Sequence, residues 1–169
     1  MSTVILINPK FPHNVGAAVR ACACWGIPEL YWTGDRVQVA LDAGDRLPRE
    51  ERMKGYRNVR FERDLNPLAR WNGDVTPVAV EYRPTAESLV QFEHPESAVY
   101  IFGPEDDSIP KAYMAMCHRF VWIPTHHCLN LAAAVNVVLY DRRLKRVTAG
   151  LENAAVQSDL IKEHRGFIE

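Results

Sequence analysis

Arg20 closes the stretch Asn14-Val15-Gly16-Ala17-Ala18-Val19-Arg20. A guanidinium holds its proton up to a pKa above ~12, so its chemistry is to grip an anion bidentately or to stabilise charge developing on an oxygen, not to abstract a proton. The plainer reading of Arg20 is a surface residue on an amphipathic helix. Gly103-Pro104-Glu105, with Asp106 and Asp107 behind it, is a second candidate. The glycine serves either a close backbone approach to a ligand or a simple turn, and the carboxylates either orient a neighbour or are merely solvated. His126, His127 and Cys128, with Cys117 and His118 upstream, carry metal-binding atoms. Adjacent ligands rarely converge on one ion, and neither a C-x-x-C pair nor an H-E-x-x-H helix is present, so no metal is expected. Cys22 and Cys24 lack redox spacing and read as core residues of a helix.

Elements that would position these residues alternate along the chain. Val4-Ile5-Leu6-Ile7 predicts a buried strand ended by Asn8-Pro9, and Asn14 to Trp25 predicts a helix with Asn14 as its cap and Gly26-Ile27-Pro28 as its stop. Glu29 to Trp32 follows as a strand. From Thr33 to Asn72 the chain is polar and weakly periodic, with a strand-like piece at Asn58 to Phe61 and a helix-like one at Leu65 to Trp71. Strands are predicted again at Pro77 to Val80, Ala98 to Phe102 and Phe120 to Ile123, and short helices at Ala86 to Gln91 and Lys111 to Cys117. A long helix from Leu129 to Arg146 carries Leu131, Val135, Val138 and Leu139 on one face and a basic end suited to the helix dipole. Such alternation predicts an α/β fold with a mostly parallel sheet covered by helices on both faces, whose ligands bind beyond the carboxyl ends of the strands. The unusual residues stand at those ends.

With 169 residues, 47% apolar and 24% charged, the chain suits one well-cored globular domain. No stretch reaches the ~20 apolar residues that cross a bilayer, and the start lacks the order of a secretory signal, so no membrane partner and a cytoplasmic location are expected. The four cysteines, without disulfide-scaffold spacing, are expected to be reduced. A net charge of −1 argues against a surface that grips nucleic acid everywhere. Its distribution is uneven: Arg46, Arg49, Arg52, Lys54, Arg57, Arg60, Arg63 and Arg70 form one basic stretch, and Arg142, Arg143, Lys145 and Arg146 another. Interleaved acids make a salt-bridged surface the plain reading of the first. Trp25, Trp32, Trp71 and Trp122 are expected mainly in the core.

Three segments in order resemble the SPOUT-class methyltransferases of the SpoU/TrmH type. Asn14 to Arg20 is similar to the N-x-G-x-x-x-R motif, Phe102-Gly103-Pro104-Glu105 to F-G-x-E, and Ile123-Pro124 with Leu129-Asn130 to the I-P and S-L-N segments. The resemblance implies a C-terminal trefoil knot, S-adenosylmethionine as cofactor, and RNA ribose 2'-O-methylation, with tRNA favoured over ribosomal RNA. It places the cofactor against Val80, Glu81, Gly103, Ile123, Cys128, Leu129 and Asn130. Arg20 is implied as the catalytic residue, with Asn14 facing the site and Glu105 holding Arg20 or the loop. A homodimer with sites near the subunit interface is also implied. Residues 1 to 147 would form the methyltransferase domain, and 148 to 169 a tail packing on the dimer. Cys128 stands where the pattern has serine, and the loop from Ile123 to Cys128 is short. Those departures keep open an inactive knotted RNA-binding protein, or a relative acting on ribosomal RNA or on a base. An unknotted nucleotide-binding domain is the remaining alternative.

Overall fold

The computed structural model describes residues 2–46, 58–71 and 73–153. Along the chain run β1 (Ser2–Leu6), α1 (Pro12–Cys24), β2 (Glu29–Trp32), α2 (Arg36–Asp42), β3 (Arg60–Arg63), a 3-10 turn (Pro67–Arg70), β4 (Thr76–Val80), β5 (Glu87–Ser88), β6 (Ala98–Phe102), α3 (Lys111–Met114), β7 (Arg119–Trp122) and α4 (Leu131–Thr148). All seven strands lie in one sheet, ordered β3-β2-β1-β6-β4-β7-β5, and every pairing is parallel. Parallel strands need crossovers, which the helices supply.

Every residue of β1 and β6 is buried, because successive side chains enter cores on opposite faces of the sheet. Val4, Leu6, Tyr100 and Phe102 enter a core that also takes Val15, Ala18 and Val19 of α1 and Val135, Val138 and Leu139 of α4. Ile5, Ile7, Val99 and Ile101 point to the other face, where Ile109, Cys117 and Tyr113 cover them. Each face has its own core, as a sheet buried on both sides requires. The small residues of α1 let α4 pack directly on it.

Register brings the strand ends level, with Leu6 opposite Phe102 and Phe102 opposite Val80. Between β1 and β6 the connections diverge, α1 packing into the core on one face of the sheet and Tyr113 and Met114 of α3 into the core on the other.

Several predicted elements differ in the structure. Ala86 to Gln91 is not a helix: Glu87–Ser88 is the edge strand β5 on β7, followed by one turn closed by Gln91 N–H and Phe92 N–H on the Ser88 carbonyl. Pairing to an open sheet edge, with Arg119 gripping the Glu87 carboxylate at 2.6 and 2.7 Å, outweighs local propensity. The weakly periodic region contains α2, unpredicted because only Val37 of its seven residues is buried. Leu65 to Trp71 is a 3-10 turn opened by Pro67. Pro12 occupies the first turn of α1, which proline tolerates there, so Phe11 takes the N-cap position and Asn14 lies inside the helix.

Candidate active site

A cavity of about 710 Å3 opens beyond the carboxyl ends of β4, β6 and β7. Six of the seven residues expected around the cofactor line it: Val80, Glu81, Gly103, Ile123, Cys128 and Leu129. Glu105, His126 and His127 line it too, as do Tyr82 and Trp122, whose rings meet edge to face at 5.5 Å. Tyr82 and Trp122 went unpredicted as site residues, although both stand at strand ends, where the parallel fold puts its ligands.

Asn14, 2% exposed, joins the segments behind this cavity. Its Nδ2 donates to Glu105 Oε1, and its Oδ1 accepts from Asn130 Nδ2 at 3.0 Å. Asn130 Oδ1 then accepts the backbone N–H groups of Ala132 and Ala133 at 3.0 and 3.3 Å, capping α4. Asn14 is thus the link between α1, the loop after β6 and the start of α4, and not a helix cap. Asn130 is tied to the backbone of the first turn of α4, as expected, but does not line the cavity. Glu105 holds the loop after β1, where the Lys10 N–H donates to Oε2 at 2.8 Å. It does not hold Arg20.

Gly103, which lines the cavity, is also needed for the packing of the loop behind it. A Cβ there would lie 3.3 Å from both Ile109 Cγ1 and Ile109 N, closer than carbon atoms prefer. The missing side chain lets the loop from Asp107 to Ile109 fold back, where Glu81 Oε2 accepts the Ile109 N–H at 2.8 Å. Main chain from two strand ends is thereby locked into one wall. Cys128 is free and exposed.

Asp106 belongs to a clasp instead of being merely solvated. Arg36 donates to both its oxygens at 2.9 and 2.8 Å, Lys10 Nζ lies 3.2 Å away, and these cations, Arg36 foremost, hold its carboxyl well below the usual carboxylate range. Asn8 sits under the clasp, its carbonyl accepting from Arg36 and its N–H donating to Thr33 Oγ1 at 3.0 Å. Gly34 (φ +71°) leaves room for it, since a Cβ there would fall 2.1 Å from Asn8 Oδ1.

Arg20 is exposed on α1 and is not among the residues that line the cavity. Of the first basic stretch, Arg49 to Arg57 lie outside the described residues. Arg60 pairs with Glu62, Arg63 donates to the Gly34 carbonyl, and Arg70 bridges Glu62 and Asp64, the salt-bridged surface that the interleaved acids predict. Arg143 and Arg146 meet Glu152, and the tail beyond Asn153 lies outside the described residues. Trp32 is buried, while Trp25, Trp71 and Trp122 are half-buried. Cys22 is buried in the core as expected, but Cys24, two positions further along and so on another side of α1, is exposed, and burial pushes the Cys117 thiol up to about 11. Among the described residues no group of three His, Cys, Asp or Glu could hold a metal ion, and no helix is long and apolar enough to cross a membrane.

Known proteins resemble this chain in sequence and in fold. The tRNA (cytidine-2'-O-)-methyltransferase TrmJ of Methanocaldococcus jannaschii is 28% identical over 159 residues, 87% of this chain and 69% of its own length. A solved structure concerned with 2-OH methylation of C/U34 on tRNA superposes with a TM-score of 0.71 at 25% identity, over 89% of this chain and 97% of that one. AviRb from Streptomyces viridochromogenes, a SpoU methyltransferase solved with AdoMet, shares the fold with a TM-score of 0.70 at 19% identity, over 86% of this chain. The chain spans 60% of the length of AviRb. A family model matches residues 1–140, from β1 through most of α4, and on that match the chain belongs to the SpoU rRNA Methylase family.

Proposed function

We propose that this protein transfers a methyl group from S-adenosylmethionine to a ribose 2'-hydroxyl of RNA, with tRNA as the substrate class. The observation that carries this reading is the cavity: three chain segments far apart in sequence wall one concavity at the strand ends of a SpoU-family fold. Its volume, about 710 Å3, falls in the ~300–1,000 Å3 range of small-molecule sites. Apolar surface from Val80, Phe102 and Leu131 beside main-chain groups of Glu81, Gly103 and Leu129 suits an adenosyl and methionyl ligand. The TrmJ likeness and the AdoMet complex of AviRb support the substrate and the cofactor.

The bound cofactor supplies a methyl group already activated by its sulfonium. What remains for the chain is alignment and exclusion of water. Val80, Glu81, Gly103, Ile123, Cys128 and Leu129 hold the donor, and Glu105, Asn14 and Asn130 fix the loops around it. Arg20 serves the acceptor by stabilising charge on its oxygen or gripping the adjacent phosphate. Because Arg20 does not line the cavity of its own chain, we infer that it serves the cavity of a second copy in a homodimer. Exposed Val137, Tyr140 and Leu144 on α4, the helix packed on α1, support that pairing. A C-terminal trefoil knot, a tail over residues 148 to 169 and a cytoplasmic location belong to the same reading and rest on the family likeness.

Calorimetry with S-adenosylmethionine tests the donor site, because an inactive RNA-binding relative gives no saturable heat. Nucleoside mass spectrometry of tRNA from cells with and without the protein tests the reaction. One 2'-O-methylated nucleoside is expected to vanish without it. Arg20→Ala is expected to bind the cofactor and fail to restore the nucleoside; full restoration would remove Arg20 from catalysis.

A further inference from the structure

We propose that Phe11 and His13 form a stacking shelf for a base of the RNA strand that is methylated, a proposal that rests on the function just given. Their rings lie parallel at 5.2 Å with 18° between planes, and both residues are exposed, Phe11 at 41%. A single exposed aromatic is ordinary, but this pair is held in place. The residues on either side of it, Lys10 and Asn14, both donate to the Glu105 carboxylate, Lys10 through its backbone N–H at 2.8 Å. Glu105 lines the donor cavity, so the short span carrying the two rings is pinned at its rim. Buried Pro12 stiffens that span, with its fixed φ at the first turn of α1.

One cation stands directly beside the shelf. Lys10 Nζ lies 5.4 Å from the Phe11 ring centre, where the phosphate of a stacked nucleotide would come. Asp106 and Glu105 offset the charge of Lys10 and Arg36, so the contact proposed is stacking with one ammonium at its edge and not a general positive field. Every base presents a π face, so such a contact grips and orients the strand without selecting its sequence, and loss of one stacked base typically costs ~1–3 kcal/mol.

The test uses the full chain and total tRNA from cells lacking the protein, with Phe11→Ala, Phe11→Leu and Phe11→Trp. RNA affinity is read by fluorescence anisotropy, methyl transfer by label from the cofactor, cofactor affinity by calorimetry, and mass by light scattering. Phe11→Ala and Phe11→Leu are expected to weaken tRNA binding and raise its KM about tenfold, within the range for one stacked base, while Phe11→Trp stays near wild type. Cofactor affinity and mass are expected to stay unchanged in all three. Wild-type tRNA binding by Phe11→Leu would show that bulk suffices and overturn the shelf, as would a change of less than about twofold in Phe11→Ala. A shift in mass would overturn it in favour of a contact between copies. Wild-type protein that binds tRNA without transferring methyl defeats the proposed reaction alone, and the binding comparison still judges the shelf; no tRNA binding defeats both.

Discussion

Asn14 uses its amide at both ends, giving to Glu105 and taking from Asn130, and no other side chain keeps both patterns. Asn14→Ala leaves two polar groups without their partner, an expected loss of ~1–3 kcal/mol in urea unfolding. Asn14→Asp is predicted to be worse for the site, because a second carboxylate would face Glu105 where a donor stood; cofactor affinity by calorimetry should fall more in Asp than in Ala. Six residues that line the cavity were legible from the motifs, since those motifs are the strand-end loops themselves. What could not be read was partnership. Asn14 has the composition of a helix cap, and only the placement of Pro12 shifts the helix start to Phe11. Asp106 reads as solvated until Arg36 arrives from α2, a helix with too little buried surface to show in the pattern.

At the scale of elements, strands and long helices were legible because their apolar periods are strong. β5 was not, because two residues carry no period and their conformation comes from β7 alongside. The start of α4 depends on one cap. Asn130→Ala removes both bonds to the first turn and the tie to Asn14, so a loss of about 1–2 kcal/mol is expected by thermal or urea unfolding. Asn130→Asp keeps the cap, being acidic at a helix N-terminus, but loses the donor to Asn14. It should therefore restore stability more than it restores methyl transfer, a split that separates capping from loop positioning.

For the whole molecule, two outcomes are expected. His94 is buried between Tyr100 at 2.6 Å and Asp141 at 2.8 Å, and burial holds its pKa down to about 4 from 6.5. Below 6.5 the unfolded chain binds the proton and the folded one does not, so stability falls as the pH drops from 6.5 to about 4 and levels off beneath that. The size is on the order of 2–3 kcal/mol, and a His94→Asn variant should show a flatter profile of urea midpoint against pH. The second outcome concerns assembly: Tyr140→Glu with Leu144→Glu is expected to halve the mass seen by light scattering and to abolish methyl transfer while each chain keeps its cofactor affinity. Unchanged mass would rule out a dimer through α4. The tie between Asn14 and Asn130 spans 116 positions of the chain. A nascent or truncated chain ending before Asn130 would lack this tie and the part of the cavity wall that Leu131 and Ala134 supply. On the function proposed above, capture of the methyl donor is then a late event that only finished molecules can perform.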